Sequence, residues 1–392
     1  MGFMNEYIDK RWSISDLERE LQSLIAKYNK KRKSYLFVYV AATDKPIPAT
    51  QLQQADFFLF RDMLSGMKDQ PRVDVYIETL GGRGETAEEI VRYLHDHFEH
   101  VAFVISGEAK SAGTLMVLSG HEILMTETGS LGPIDAQIKI GRSVISAHDY
   151  MEWVEEKRKE AAAEGKLNPF DATMVAQITP GELGSVLHSL KFAEDLVVEW
   201  LVKYKYKDWS VTETRKIPVT EEMKKERAEE VAGLLTDHSR WRSHGRSLKI
   251  GDLEFWLKIT RVDDDQELAE LVYRIQTVCR LIFESSTAFK IFATEHNKMF
   301  RHAVETGQAR IPLPRKENLL AVQKKVRCNQ CGAIHKLYGM FAKDPKLELK
   351  LQQEGMTAFP PNSRLRCSCG FEIDLLGIKT QMEKDAGRKM IS

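Results

Sequence analysis

Residues 101–120 read VAFVISGEAKSAGTLMVLSG, and this stretch decides the fold that we expect. VAFVIS is typical of a strand buried on both faces, because its apolar residues are continuous. SAGTLMVLSG then favours a short apolar helix beginning at Ser111. Small residues allow a tight turn there, and the first N–H groups of a helix have no intrahelical partner. The sequence therefore predicts a serine hydroxyl held beside free backbone donors and the positive end of a helix dipole.

The segments around this stretch repeat the alternation of strand and helix. VDVYIETLGG at 73–82 predicts a strand ending in two glycines, and ETAEEIVRYLHDHF at 85–98 predicts a helix. Strands alternate with helices from 35 to 135, which is typical of an α/β fold built from crossover units. The pattern after 149 is helical and charged, and 266–307 is expected to form two further helices.

Parallel strands that end side by side would bring the pair Gly81–Gly82 next to Ser111. A backbone N–H of that pair and the N–H of Ala112 would then converge as an oxyanion hole, which acyl transfer requires. A serine at a helix N-terminus is often only a cap, and two glycines after a strand are often only a turn. The order strand, Gly-Gly, helix, strand, Ser-Ala-Gly is more restrictive than either motif alone.

Three segments carry a resemblance to a known family: YIETLGGRGETAEEI at 76–90, AKSAGT at 109–114 and SLGPIDAQ at 130–137. They resemble the Clp protease/crotonase-like fold, and above all its branch of serine dehydrogenase proteinases, related also to signal peptide peptidases. The resemblance runs from 35 to 260. It implies that Ser111 is the nucleophile of a serine peptidase and that the N–H groups of Gly82 and Ala112 form the oxyanion hole.

The rest of the catalytic triad also follows from the resemblance. Asp135 stands where the Clp protease has its histidine, and an aspartate with a pKa of about 4 is a poor base for a serine. The serine dehydrogenase proteinases use the order Ser, Asp, His, which implies His244 as the base and Asp135 as the acid that orients it. A triad is defined by geometry and not by chain order. Other candidate bases stay open: His121, His148, His188 and His238, and for a Ser–Lys dyad Lys110, Lys139 and Lys157.

Four of the five cysteines form two pairs near the C-terminus, Cys328-x2-Cys331-Gly and Cys367-x-Cys369-Gly. Four thiolates in two short turns are typical of one structural zinc ion in a zinc ribbon, with iron–sulfur binding as the alternative. Four sulfur ligands leave no open position on the metal, so the predicted zinc is not catalytic. Unpaired Cys279 is expected in the core of a helix.

Composition narrows the class of protein further. Lys+Arg and Asp+Glu each number 57, so no overall charge favours nucleic acid or an anionic membrane. The N-terminus has no signal-peptide pattern and no apolar run is long enough to cross a bilayer. Paired cysteines without a disulfide framework favour a reducing compartment, so we expect a cytoplasmic protein. Nucleic acid would be bound only through the zinc ribbon.

These observations predict four regions and a leading function. The regions are an N-terminal helix at 1–34, a Clp/crotonase-like serine protease domain at 35–262, a helical extension and linker at 263–316, and a four-cysteine zinc-ribbon module at 317–392. The leading function is an ATP-independent serine peptidase acting on peptides or proteins as a homo-oligomer. The alternatives are a catalytically silent oligomeric scaffold whose ribbon binds a partner protein or nucleic acid, and a crotonase-type acyl-thioester hydrolase.

Overall fold

A computed structural model of the 392-residue chain describes residues 2–67, 70–134, 136–140, 143–212, 214–243, 245–303, 320–386 and 389–391. The chain divides into two compact units, Met1–Ala303 and Val304–Ser392. The first unit is a mixed α/β domain and holds the predicted nucleophile. No helix in the described part of the chain is both long and apolar enough to cross a lipid bilayer.

The first unit begins with two helices and then alternates strands with helices. Its elements up to the nucleophile helix are α1 Phe3–Asp9, α2 Ile14–Arg32, β1 Tyr35–Ala41, α3 Gln54–Leu64, β2 Arg72–Glu78, α4 Gly84–His97, β3 His100–Ile105, β4 Glu108–Ala109 and α5 Ala112–Leu118. The elements that follow are β5 Glu122–Met125, β6 Ser130–Leu131, β7 Gln137–Ile140, β8 Ser143–Ser146, α6 Ala147–Glu164, α7 Pro169–Val175, α8 Pro180–Trp200, α9 Glu221–Thr236, α10 His238–Trp241, α11 Ile250–Leu253, β9 Thr260–Arg261, α12 Gln266–Glu284, β10 Ala288–Ala293 and β11 Lys298–His302.

Seven strands form the central sheet in the order β11-β10-β1-β2-β3-β5-β9. The pairs from β1 to β9 are parallel, whereas β10 and β11 are antiparallel to their neighbours. The residues of β1 are all buried, as expected for a strand covered on both faces. In an open parallel sheet of this kind, functional sites lie beyond the carboxyl ends of the strands.

Helices cover both faces of this sheet. On one face, side chains of α3, α4, α5, α8 and α9 pack against inward residues such as Phe37, Val75 and Phe103. On the other face, α2 and α12 pack against Leu36, Tyr76 and Val104. Alternate residues of one strand therefore enter two different cores, which fixes the register of the sheet.

The expected second helix within 266–307 is wrong. Within its described part, 266–303, only α12 is helical, and 288–293 (AFKIFA) forms the fully buried strand β10 between β1 and β11. Aromatic and β-branched residues suit this position in the sheet, and pairing within the sheet outweighs helix propensity. Residues 263–303 thus lie in the first unit. The rest of the expected helical extension and linker, 304–316, lies outside the described residues.

The second unit contains small sheets around the cysteine pairs. Its elements are β12 Ala321–Arg327, β13 Ile334–Met340, α13 Pro345–Gln353, β14 Thr357–Ala358, β15 Arg364–Arg366, β16 Glu372–Asp374 and α14 Leu376–Ala386. β12 and β13 form an antiparallel hairpin, and Val326, Leu337 and Leu375 form one of two small apolar clusters. Such a small core is typical of modules that a metal ion stabilises.

Candidate active site

The ends of two neighbouring strands run together up to the predicted nucleophile. Beyond β2, the Thr79 N–H donates to the Glu108 carbonyl at 2.8 Å, and the Lys110 N–H donates to the Thr79 carbonyl at 2.9 Å. These bonds extend the parallel pairing past the sheet, with Thr79 opposite Ala109. The two glycines after Thr79 therefore arrive beside Ser111, as the sequence predicts.

Ser111 has a strained backbone, and its hydroxyl does not cap the helix that follows it. Its φ of 50° and ψ of −117° are unusual for a residue with a side chain, and such conformations cost about 1–3 kcal/mol. Ser111 occupies the N-cap position of α5, yet its side chain makes no capping hydrogen bond there. The simple capping role that the sequence left open is therefore absent, and the partly exposed hydroxyl is available for chemistry.

The backbone around Gly81 and Gly82 is packed too closely to leave room for a side chain. Gly81 lies against the nucleophile turn, and Gly82 lies against Leu52. A Cβ on Gly81 would lie 2.7 Å from the Ser111 Cβ and 3.0 Å from the Ala112 nitrogen. A Cβ on Gly82 would lie 2.5 Å from the backbone nitrogen of Leu52. Both glycines also have positive φ values, 94° and 151°. The corner consequently admits no side chain at either position.

Two backbone donors adjoin the nucleophile. In the described part of the chain, the N–H groups of Gly82 and Ala112 donate no backbone hydrogen bond. The carbonyl of Ser111 accepts from the Leu115 N–H at 3.1 Å, which fixes the peptide group carrying the Ala112 N–H. The structure thus has the two elements expected of an oxyanion hole: free donors, and a rigid backbone that holds them.

Lys110 is buried directly before the nucleophile. Its Nζ donates to the carbonyls of Leu131 and Arg246 at 3.3 and 3.0 Å and to the Ser247 Oγ at 2.8 Å. Burial lowers the pKa of Lys110 to about 8. Its hydrogen bonds are with two later segments of the chain and not with Ser111, and its Nζ also lies 3.9 Å from the Glu108 carboxylate. The side chain therefore joins those later segments to the nucleophile turn.

Asp135 and His244 both lie outside the described residues, but the chain on either side of each is described. Leu131 and Leu248 exchange two backbone hydrogen bonds of 3.0 and 2.9 Å. The Ile134 N–H donates to the Leu235 carbonyl at 2.8 Å. The stretches that lead into Asp135 and out of His244 are therefore paired with each other.

The other candidate bases have different surroundings. His121 accepts a hydrogen bond from the Val101 N–H at 3.1 Å, which is a structural role. His148 lies in the first turn of α6, and His188 is exposed on α8. Lys157 pairs with Glu160 and Asp171, and these carboxylates raise its pKa. The side chains of His238 and Lys139 are not among those described, and within the described part no imidazole or ammonium is hydrogen-bonded to the Ser111 hydroxyl.

The four paired cysteines come together in the second unit. The Sγ atoms of Cys328 and Cys369 are 3.7 Å apart, those of Cys331 and Cys367 are 3.6 Å apart, and all four lie within 4.8 Å of one another. Tetrahedral zinc with Zn–S bonds of about 2.3 Å requires sulfurs about 3.8 Å apart. The donor set and its spacing fit one zinc ion.

His335 completes this cluster and was missed by the sequence analysis. Its Nε2 lies 3.2 Å from the Sγ of Cys367, within reach of a hydrogen bond to a thiolate. Contacts of this kind orient a ligand and tune its basicity. The position four residues after Cys331, on the strand β13 that follows the first turn, is the only signal that the sequence offers.

Ser111 thus lies on a strained turn at the start of a helix, beside a Gly-Gly corner at the carboxyl edge of a parallel sheet. This is the layout that the resemblance to the Clp protease fold led us to expect. Residues 52–176 match the model of the family described as ClpP-like SDH-type serine proteinase. The match spans the Gly-Gly corner and Ser111. The expected resemblance to this family over that range and the expected α/β fold class are confirmed.

Curated relatives and a solved structure are similar over part of their length. The uncharacterized protein MJ0137 of Methanocaldococcus jannaschii is 34% identical over 80 residues, 20% of this chain and 28% of that protein. MJ1495 of the same organism, also uncharacterized, is 35% identical over 71 residues, which make up 18% of this chain and 24% of MJ1495. The chain thus spans about a quarter of the length of these relatives. A mutant of the 1510-N membrane-bound stomatin-specific protease aligns with a TM-score of 0.34 and 13% identity, covering 56% of this chain and 79% of that one.

Proposed function

We propose that this protein is a serine peptidase that forms an acyl-enzyme at Ser111. The observation that carries the proposal is the conformation of Ser111: a left-handed backbone at a helix start, with no capping bond, against a Gly-Gly corner. A structural serine gains nothing from this strain, whereas a nucleophile gains an exposed hydroxyl beside two N–H donors. The family match over 52–176 supports the same class of reaction.

The proposed reaction has two steps. The Ser111 Oγ attacks the carbonyl carbon of a peptide bond while His244 takes its proton, and the N–H groups of Gly82 and Ala112 bind the oxyanion. The C–N bond then breaks, and His244 passes the proton to the leaving amine. In the second step a water molecule loses a proton to His244 and attacks the ester carbonyl carbon. The ester C–O bond then breaks, His244 returns the proton to the Ser111 Oγ, and the acid is released.

The pairing of the flanking segments supports the proposed base and acid. Lys110 donates to Arg246 and Ser247, and Leu131 pairs with Leu248. These contacts link the chain close to His244 and to Asp135 with the residue next to the nucleophile. This supports Asp135 and His244 as partners of Ser111, with Asp135 holding the imidazole and stabilising its protonated form.

A comparison of two serines on the same helix tests the nucleophile. We expect Ser111→Ala to abolish labelling by a fluorophosphonate probe and peptide turnover. The matched control is Ser119→Ala at the other end of α5, whose hydroxyl bonds only to the Met116 carbonyl in the described structure. It should be labelled like the wild type. Equal labelling of Ser111→Ala and the wild type would remove Ser111 from the mechanism.

A second comparison tests the base. His244→Ala should lower the rate of labelling by at least a hundredfold, because general base catalysis contributes about 10²–10⁴. The matched control His148→Ala, at the start of α6, should label at the wild-type rate. A slow rate in His148→Ala with a wild-type rate in His244→Ala would assign the role of base to His148. Wild-type labelling rates in both variants would exclude both histidines.

Three broader expectations belong to the same proposal: turnover without ATP, assembly into a homo-oligomer, and a cytoplasmic location. Turnover measured with and without ATP tests the first, and analytical ultracentrifugation tests the second. The third is proposed because zinc-binding thiolates persist in a reducing compartment. Microscopy of the tagged protein in its own cell tests it.

We propose as a second function that the C-terminal unit binds nucleic acid, because like charges face each other on β12 and β13. Lys325 lies directly opposite Lys336, and Arg327 follows on the same face. All three are exposed, and in the described part of the unit none forms an ion pair. Opposed like charges destabilise a sheet, so retaining them suits a surface for a polyanion.

An oligonucleotide titration followed by fluorescence anisotropy tests this surface. Lys325→Glu/Lys336→Glu should abolish binding. The control Lys346→Glu/Lys350→Glu makes the same change of charge on exposed positions of α13 and should bind at least tenfold more tightly than the first variant. Equal weakening in both variants would mean that only the net charge of the unit matters.

A further inference from the structure

We infer that the buried pair Lys290 and Asp56 directs and strengthens the oxyanion donor at Gly82, through a chain of two hydrogen-bonded peptide groups. This inference rests on the proposed function and adds two residues to its machinery. Lys290 lies on β10 and Asp56 in the first turn of α3. Since their contacts do not include the nucleophile, both are positioning residues.

The chain begins at the Lys290 ammonium group. Its Nζ donates to Asp56 Oδ2 at 2.5 Å and to the carbonyl of Gln51 at 2.8 Å. A peptide group is planar and trans, so its carbonyl and its N–H point in opposite directions. Holding the Gln51 carbonyl therefore aims the N–H of Leu52 away from the lysine.

The second link reaches the Gly-Gly corner. The Leu52 N–H donates to the Gly81 carbonyl at 2.7 Å, and the carbonyl of Leu52 accepts from the Arg83 N–H at 3.1 Å. The Gly81 carbonyl and the Gly82 N–H belong to one planar peptide group. Fixing the carbonyl against Leu52 consequently turns the Gly82 N–H to the opposite side. The same backbone of Leu52 is where Gly82 has no room for a Cβ.

Asp56 anchors the neighbouring peptide group, which joins Leu52 to Gln53. Its Oδ2 also accepts from the Gln53 N–H at 2.8 Å, at the start of α3. Residues 51–53 are therefore held by the carboxylate and by the ammonium together. Both charged side chains are 0% exposed, and a buried ion pair is usually no more stable than apolar residues of the same size. Stability therefore does not explain why this pair is present. Holding residues 51–53 in place does.

The charge adds strength as well as direction. Hydrogen bonds in series polarise one another by about 10–30% per bond, and a charged donor gives the strongest polarisation. A positive charge at the head of the series makes each later N–H a better donor. The last N–H in this series is that of Gly82, which would bind the oxyanion formed from the substrate carbonyl.

The test is the rate of inactivation by a fluorophosphonate, separated into its binding constant KI and its maximal rate kinact. Removing a whole oxyanion donor costs about 10²–10³ in rate, so the weakened donor of Lys290→Met/Asp56→Asn should lower kinact about tenfold to a hundredfold. KI and the pH midpoint of kinact should stay at their wild-type values, because neither the binding surface nor the base is altered.

A second ion pair, of a partly buried arginine and a buried aspartate, provides the matched control. Arg32 Nε lies 3.2 Å from the fully buried Asp74 near the start of β2, at the opposite end of the strand from the glycines. Arg32→Met/Asp74→Asn makes the same kinds of substitution and should destabilise the protein without changing kinact. Equal losses of kinact in both double variants would reduce the inferred role to general stability and overturn the inference.

Should Lys290→Met/Asp56→Asn not fold, Asp56→Asn alone gives the same readout. Burial lowers the pKa of Lys290 and the Asp56 carboxylate opposes this, so the single variant favours a neutral lysine. We expect kinact to fall severalfold. Wild-type kinact in whichever variant folds, with Ser111 still labelled in the wild type, would overturn the inference. Absence of labelling in the wild type would instead count against the proposed peptidase function.

Discussion

A methyl group on Gly81 would lie 2.7 Å from the Cβ of Ser111, so the glycine corner and the nucleophile turn are in direct contact. Gly81→Ala should therefore push the two segments apart as well as strain a backbone whose φ is 94°. We expect fluorophosphonate labelling to fall at least a hundredfold, because a displacement of about 1 Å costs about that factor.

The control for Gly81 is Gly233→Ala, on the helix α9, where an added Cβ meets nothing within 4 Å. This variant should label normally and unfold at the wild-type temperature or slightly above it, since alanine favours a helix. Normal labelling of Gly81→Ala would mean that the corner is not part of the site.

Because the backbone of Ser111 is strained, we expect replacement of this residue by glycine to stabilise the protein. Ser111→Gly should raise the free energy of unfolding by about 1 kcal/mol, because glycine adopts a positive φ without a steric cost. Ser111→Ala keeps the strain and should not show this gain. Thermal unfolding of both inactive variants measures the difference, and equal stability would show that the turn is unstrained.

Glu78, at the end of β2, should make stability depend on pH. Burial raises the pKa of its carboxyl from 4.5 to about 7, so the folded protein keeps a proton that the unfolded chain releases. Stability should therefore fall as the pH rises from 4.5 to 7, and the cost of the buried charge is fully present above 7. Glu78→Gln should unfold at a higher temperature than the wild type at pH 8 but not at pH 4.5.

The opposite sign is expected at Glu122, which provides the control for Glu78. Although burial raises its pKa, bonds to Arg32 outweigh this and lower the pKa overall. Its ionised form therefore stabilises the fold, and Glu122→Gln should lower the unfolding temperature at pH 8. A shift of the same sign in both variants would contradict the assigned environments.

The cysteine cluster predicts one zinc per chain and a second unit that depends on it. Elemental analysis should give one zinc, and a chelator should raise hydrogen exchange in 320–386 because the small apolar clusters there do not replace the metal. Cys331→Ser should lose the zinc. Cys279→Ala is the control: this buried thiol lies in α12, far along the sequence from the cluster, and zinc should be retained. Retention in both variants would exclude the four-cysteine site.

Local patterns were enough to predict the nucleophile turn, because adjacent parallel strands necessarily end together and Gly-Gly and Ser-Ala-Gly follow directly. The apolar pattern at 288–293 led us to expect a helix where the structure has the strand β10. A buried strand and a short buried helix segment have the same apolar content, so the pattern does not distinguish them. Lys290 lies 234 residues from Asp56, and only the completed sheet brings them together. The contacts of Lys110 are also with residues far along the chain. Local sequence spacing therefore could not predict the role of either lysine.

The most direct test of the central claim is the position of the fluorophosphonate adduct in the wild-type chain, read by mass spectrometry of its proteolytic peptides. We predict a single adduct on the peptide containing Ser111, with fragment ions that place it on that residue. An adduct on any other residue, or peptide turnover by a protein whose Ser111 stays unmodified after full inactivation, would contradict the account.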